Sequence, residues 1–271
     1  MSENKKYTSA DEHIQNGDAY RQKGDFNKAI EEYTKAMELA PDVNVYCCRG
    51  RAYYLIRNYD NAIEDSNSAI YLDSDCSPAY LCRGDAYYKK GELDKAIEDY
   101  SKLIHLNPNT NMAPAYNNRG EAYCDKGDFT RAINDFKTAI ELDPEYAASY
   151  LNRGTAYGDI GDYDQAISDF EQALRLSQND SSSTVPIGSY QNLGYIYFKK
   201  GDYDQAIENY DKLIQKLPHY ATAYFSRGMV YHHKGDYNHA IEDFESTLKL
   251  EPNHSGARKN LDLVRQMRSS N

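Results

Sequence analysis

Three asparagines, Asn118, Asn152 and Asn192, each stand two residues before a glycine, at intervals of 34 and 40 residues. An amide side chain donates to C=O and accepts from N–H, so a row of them could clasp a peptide backbone whatever its sequence. The alternative is that they are exposed polar residues a helix merely tolerates. One residue before the same kind of glycine lie Arg49, Arg83, Arg119, Arg153 and Arg227, a row that invites anion binding. The stretch HHKGDYNHA brings His232, His233 and His239 together in sequence. These sit across a helix end and a new helix start, so surface histidines are the better reading than metal ligands. Cys47 and Cys48 are adjacent, and adjacent residues on a helix do not face one another. No Gly-rich phosphate loop, no Cys-x-x-Cys and no Ser or Cys nucleophile beside a base is found. A non-catalytic chain is expected, with no cofactor and no metal.

Composition narrows the partners. The 271 residues include 27 Tyr and no Trp, with 40% hydrophobic residues and a formal net charge of −11. That is too aromatic for a disordered chain and lean for a deep globular core, which suits a thin, elongated core. Phosphate binding needs basic patches, so nucleic acid is a poor partner, and so is an anionic membrane surface. No apolar run approaches the ~20 residues that span a bilayer. MSENKKYTSADEH lacks the apolar stretch of a signal peptide. Five cysteines are an odd count without paired spacing, so reduced thiols in a cytoplasmic protein are expected.

The elements that would position these rows repeat. Gly17, Gly50, Gly84, Gly120, Gly154, Gly194 and Gly228 are spaced 33, 34, 36, 34, 40 and 34 residues apart. Three residues after each glycine is a tyrosine, Tyr20 through Tyr231, and nine further on an Ala-Ile pair. Four past that alanine is Tyr33, Tyr100, Phe136, Phe170, Tyr210 or Phe244, with Ser66 the polar departure. Prolines follow at 41, 108, 144, 218 and 252. An aromatic, the glycine and the tyrosine recur at i, i+4 and i+7, as in Tyr150, Gly154 and Tyr157, which is one helical face. A glycine there costs about 1 kcal/mol of helix propensity relative to Ala. It makes sense where another backbone approaches, the small alanine of the second helix being the expected neighbour. A second Gly-Asp pair, as at 24–25, 127–128, 161–162, 201–202 and 235–236, would end one helix and cap the next.

The pattern resembles the tetratricopeptide repeat, most fully in Tyr190, Leu193, Gly194, Tyr197, Ala206, Tyr210 and Pro218. The resemblance covers nearly the whole chain. It implies an all-α, right-handed superhelical solenoid of seven helix–turn–helix repeats, because one unit cannot bury its apolar face alone. The expected layout is an N-terminal tail over 1–9, repeats over 10–42, 43–76, 77–112, 113–146, 147–186, 187–220 and 221–252, and a C-terminal capping helix and tail over 253–271, with Leu261, Val264 and Met267 inward. NPNTNMAP (107–114) and SQNDSSSTVP (177–186) lengthen two repeats; the second reads as a loop or mild hinge.

The arginine row has an internal answer. Repeats with the arginine carry Asp65, Asp99, Asp135, Asp169 or Asp243 on the second helix; those without pair Asn16 with Glu32 and Leu193 with Asn209. Antiparallel helices would set the two positions side by side, so structural Arg–carboxylate pairs are expected rather than an anion site.

In the family the first helices line a concave groove that commonly takes an extended peptide. Asn118, Asn152 and Asn192 resemble the asparagine ladder of O-linked N-acetylglucosamine transferases, which clasps a peptide backbone. The remaining lining positions make the groove mixed but acid-leaning toward the N-terminal half, through Asp85 and Glu121 beside Tyr54 and Tyr88. Toward the C-terminus they make it aromatic, with Tyr195, Phe198, Phe225 and Met229. The alternative for Phe198 and Phe225 is packing into the neighbouring repeat. The cationic clamp of chaperone-tail binders is missing, because the matching places hold Leu81, Asp85, Asn117, Glu121, Ala148 and Leu151. A scaffold that binds a protein or peptide segment is therefore expected. The alternatives are a self-assembling homo-oligomer, or a regulatory module for an enzyme acting in trans.

Overall fold

The computed structural model describes residues 3–108, 110–178 and 183–269, and those residues form helices with no strand among them. The helices divide between two compact units. The first, Met1–Asp143, holds α1 (Glu3–Gln22), α2 (Phe26–Leu39), α3 (Val43–Leu55), α4 (Tyr59–Leu72), α5 (Ser77–Lys89), α6 (Leu93–Leu106), α7 (Ala113–Asp125) and α8 (Phe129–Leu142). The second, Pro144–Asn271, holds α9 (Ala147–Asp159), α10 (Tyr163–Leu176), α11 (Val185–Lys200), α12 (Tyr203–Lys216), α13 (Ala221–Lys234), α14 (Tyr237–Leu250) and α15 (Ser255–Ser269). Within each unit every helix packs on the next, and first helices also touch, α3 on α5 and α5 on α7, α9 on α11 and α11 on α13. α1 begins at Glu3, inside the segment expected as a tail, and α11 begins two residues ahead of its expected repeat. The middle of the Ser-rich insertion, 179–182, lies outside the described residues, as does 109 in the shorter insertion.

Local chemistry sets the helix boundaries. Gly24, Gly91, Gly127, Gly161, Gly201 and Gly235 all take positive φ, between 76° and 85°, at the turn inside a repeat. In five of these six turns the next residue caps the second helix: Asp25, Asp128, Asp162, Asp202 and Asp236 each accept a backbone N–H three residues on, whereas Glu92 after Gly91 makes no such bond. Arg57 stands in the glycine's place in the second repeat, with φ of 63°, and carries the steric cost that a Cβ brings there.

In six of the seven repeats the recurrent glycine of the first helix faces an aromatic ring, and the backbone of the expected alanine also approaches at Gly50 and Gly154. A Cβ at Gly120 would lie 2.6 Å from the Phe136 ring, and one at Gly194 2.7 Å from Tyr210. Phe136 is fully buried, so the ring has nowhere to go. The alanine leaves room for the helix, but the flat aromatic four residues later occupies the space a side chain would need. In the second repeat Ser66 replaces the ring and bonds the carbonyl of Ala62, and a Cβ at Gly50 meets Asp65 Cβ at 3.2 Å. This difference yields a measurable contrast. Gly120→Ala should lose about 1–3 kcal/mol to overpacking, outweighing its gain of about 1 kcal/mol in helix propensity. Gly50→Ala should be close to neutral. Urea midpoints of the two variants should separate clearly; equal midpoints would show that the ring does not dictate the glycine.

The Arg–Asp pairs form as the sequence predicts. In all five repeats the guanidinium makes two parallel bonds to one carboxylate, as in Arg83 Nε to Asp99 Oδ2 at 2.9 Å and Nη2 to Oδ1 at 2.7 Å. The others are Arg49–Asp65, Arg119–Asp135, Arg153–Asp169 and Arg227–Asp243. Four of these arginines spend a third nitrogen on the preceding repeat, at Thr34, Asn67, Ser101 and Asp211. Each also lies near the face of the tyrosine three residues earlier, Arg119 at 5.3 Å from the Tyr116 centroid. The first-helix aromatic of the repeat is thus a platform for the arginine. In the sixth repeat Leu193 is buried where the arginine would be, and Asn209 turns back to the carbonyl of Gln205. In the first, Glu32 is held by His13 and Lys35.

At the C-terminal end Leu261 and Val264 of α15 are buried against Phe244 and Ile241, while Met267 is half-buried.

Candidate functional site

The candidate groove residues lie on first helices, and each unit positions its own set. In the first unit Asp85, one turn position after its repeat glycine, is the centre of a polar network. It accepts from Arg51 Nη1 at 2.8 Å, from the Tyr100 hydroxyl at 2.9 Å and from Asn118 Nδ2 at 3.3 Å. Burial and this carboxylate together push the Tyr100 hydroxyl well above the ordinary tyrosine range. Arg51 also covers the Tyr54 ring at 4.7 Å. The same arrangement recurs in the first repeat, where Asp18 accepts from the Tyr33 hydroxyl at 2.7 Å and from Arg21 at 3.2 Å. Glu121 accepts from Asn117 at 2.9 Å. Tyr88 is half-buried, its hydroxyl raised first by burial and then by a hydrogen bond to Asp125.

The expected acidic half is therefore corrected. Asp85 is engaged with Arg51 of α3 and the Tyr100 hydroxyl of α6, and Asp18 with the Tyr33 hydroxyl of α2 and with Arg21 of its own helix, so both carboxylates already have partners within the fold. The link was readable: tyrosine rather than phenylalanine stands on the second helix where aspartate follows the glycine, as in Tyr33 with Asp18 and Tyr100 with Asp85. Phe136, Phe170 and Phe244 go with Glu121, Thr155 and Met229. Tyr210 beside Tyr195 is the exception, its hydroxyl meeting Ser226 instead.

In the second unit Asn192 donates to the Thr155 hydroxyl at 3.1 Å. Both Asn118 and Asn192 thus reach the residue that follows the glycine one repeat earlier, and each spends one of its two amide hydrogens there. Asn152 is half-buried on α9. Tyr195, beside Asn192 on α11, is 50% exposed, with Lys199 near its ring face at 5.3 Å. Phe198 and Phe225 take the packing alternative. Phe198 meets the His233 ring at 5.0 Å and Tyr203 at 6.0 Å. Phe225 meets His254 at 4.7 Å and Phe244 at 5.9 Å, and Met229 packs in the same cluster. Apolar rings half-covered by a neighbouring helix gain more from completing that contact than from facing water. The aromatic end of the groove reduces to Tyr195 as the one strongly exposed ring of this set.

Of the three histidines in the 232–239 stretch, His232 and His233 have ring centroids 5.5 Å apart, and His239 is engaged elsewhere. His239 bonds Asp236 at 2.6 Å and stacks on Tyr231. His232 has a buried Nδ1, and burial lowers its basicity. Sequence reasoning did not single out a second set of inter-repeat contacts. Lys90–Asp60, Lys126–Asp94, Lys200–Asp164 and Lys234–Asp204 each join the end of a first helix to the preceding repeat's second helix. Their aspartates are at least 80% exposed, so solvent screening leaves each pair contributing little to stability. No described helix is long and apolar enough to cross a membrane.

Models of the tetratricopeptide repeat match seven segments that together cover most of the chain. One, described as TPR repeat, matches residues 17–56, 84–124, 120–161 and 194–235. Two described as tetratricopeptide repeat match 147–180, 221–254 and 43–76. No curated protein matches the chain. Among solved structures it is similar to a tetratricopeptide repeat protein from Parabacteroides merdae, with 21% identity, 95% of this chain and 99% of that one covered, and a TM-score of 0.71. MamA is 31% identical over 62% of this chain and 94% of its own, with a TM-score of 0.55. YrrB, a TPR protein with an unusual peptide-binding site, is 21% identical over 72% and 96%, with a TM-score of 0.56.

Proposed function

Because the chain belongs to the tetratricopeptide-repeat family, whose fold is in general a protein-interaction scaffold, we propose that it is a non-catalytic scaffold that binds an extended protein segment along its first helices. The observation that carries this reading is the surface of α9 and α11. There Asn192, tied to Thr155 but retaining an amide hydrogen and its carbonyl oxygen, stands beside the half-exposed Tyr195. An amide that both donates and accepts suits a peptide backbone, and an exposed aromatic suits one anchoring side chain. Asn118 and Asn152 carry the same type of side chain on α7 and α9. With Asp85 and Asp18 internally engaged, selectivity for a basic segment is not part of the proposal. Ordering an extended segment costs conformational entropy, so the affinity is modest.

Random peptides selected on the immobilised full chain, then remade with a photo-crosslinking residue, test the placement. Adducts should fall on α9, α11 and α13, the first helices of the second unit. Adducts confined to second helices or to α15 would overturn it.

A further inference from the structure

Four of the five cysteines lie in the second and third repeats, in three separate settings. Cys48 is half-buried, with Asp18, Arg21 and Tyr33 among its neighbours, and Cys82 is buried beside Ser66. Cys47 belongs to a different cluster, with Val43, Tyr46, Ala69 and Cys76. Its Sγ is 3.3 Å from Cys76 Sγ, and both are free thiols. Cys76 is the N-cap residue of α5 yet makes no capping hydrogen bond. That position ordinarily favours Ser, Thr, Asp or Asn, so the thiol is not there to finish the helix. Cys47 belongs to α3, the first helix of the preceding repeat, and α3 packs on α5.

We propose that Cys47 and Cys76 are a modification site, a thiol pair that a small-molecule disulfide converts to an intramolecular disulfide bracing α3 to the start of α5. A disulfide is about 2.05 Å long, so the sulfurs must close by about 1.3 Å. Cys47 is the half-buried member and Cys76 the buried one, so the first exchange falls to Cys47. Cys47 Sγ loses its proton and attacks one sulfur of the small disulfide. The S–S bond of the reagent breaks, and the released thiolate takes a proton. Cys76 Sγ then attacks Cys47 Sγ, and the second small thiol leaves. Two protein thiols are oxidised by two electrons and one reagent disulfide is reduced to two thiols. Burial pushes the Cys47 thiol up, so exchange at neutral pH is slow.

The full chain, equilibrated with mixtures of reduced and oxidised glutathione, is quenched and denatured before its thiols are counted. The count should fall from five to three, peptide mapping should join Cys47 to Cys76, and the oxidised chain should melt at a higher temperature. A Cys124→Ser chain should still lose two thiols, and a Cys47→Ser chain should lose none. A count that stays at five, adducts that stop at glutathione, or a link through Cys48 or Cys82 would overturn the assignment. So would an oxidised chain that melts lower than the reduced one. The measurement on the natural chain stands whether or not the variants fold.

Discussion

Replacing Arg83 by leucine should destabilise the first unit by about 3–5 kcal/mol, while adding Asp99→Asn should recover most of that loss. The physical reason lies in where the charges sit. Asp99 is 3% exposed and has Arg83 as its bidentate partner. Burial already pushes the Asp99 carboxyl up, and Arg83 opposes that push. Without the arginine a carboxylate is left in a poorly solvated site, and a buried charge without a partner is costly. The single variant also forfeits the bond from Arg83 to Asn67 of the preceding repeat, which the double variant does not restore. The double variant copies the sixth repeat, where Leu193 and Asn209 occupy the same two places. A pH series separates this cause from lost packing. An orphaned Asp99 has a folded pKa raised further above its unfolded value, so the folded state binds more protons. Stability of Arg83→Leu is then fuller in acid and is lost as pH rises, and its deficit against the natural chain should shrink toward pH ~5. A deficit that is flat with pH, or that the second substitution does not reduce, would mean the pair contributes shape rather than charge compensation.

The seven-repeat organisation was legible because its causes are local and repeated: a glycine beneath a ring, a positive-φ glycine before a capping aspartate, and an aromatic at a fixed offset. The Arg–Asp pairing was legible for a different reason. Where Arg49 or Arg227 stands, Asp65 or Asp243 stands with it, and where Leu193 stands, the aspartate is missing. The groove was harder to read because a lining position does not say whether a side chain faces solvent or a neighbour. Asp85 looked like an acidic contact for a partner, yet Arg51, Tyr100 and Asn118 come from three different helices to meet it. Phe198 and Phe225 looked like anchors, yet His233 and His254, residues from outside the motif, cover them. Contacts of this kind arise between repeats, and only the Tyr33–Asp18 and Tyr100–Asp85 coincidence left a trace of them in the sequence. The thiol pair left none, since Cys47 and Cys76 are 29 residues apart with no spacing rule to join them.

The central claim is that amide side chains on the first helices hold a peptide backbone. Its most direct test is the affinity of one selected peptide for the full chain and for a chain carrying Asn118→Ala, Asn152→Ala and Asn192→Ala, measured by calorimetry. A hydrogen bond contributes about 0.5–1.5 kcal/mol net, so three lost contacts amount to roughly tenfold to a thousandfold in Kd. The variant also loses the bonds from Asn118 to Asp85 and from Asn192 to Thr155, so its helicity and melting temperature are measured beside its affinity. Weakening of that size in a chain that stays folded is the predicted result. A folded triple variant that binds the same peptide as tightly as the natural chain would contradict the account.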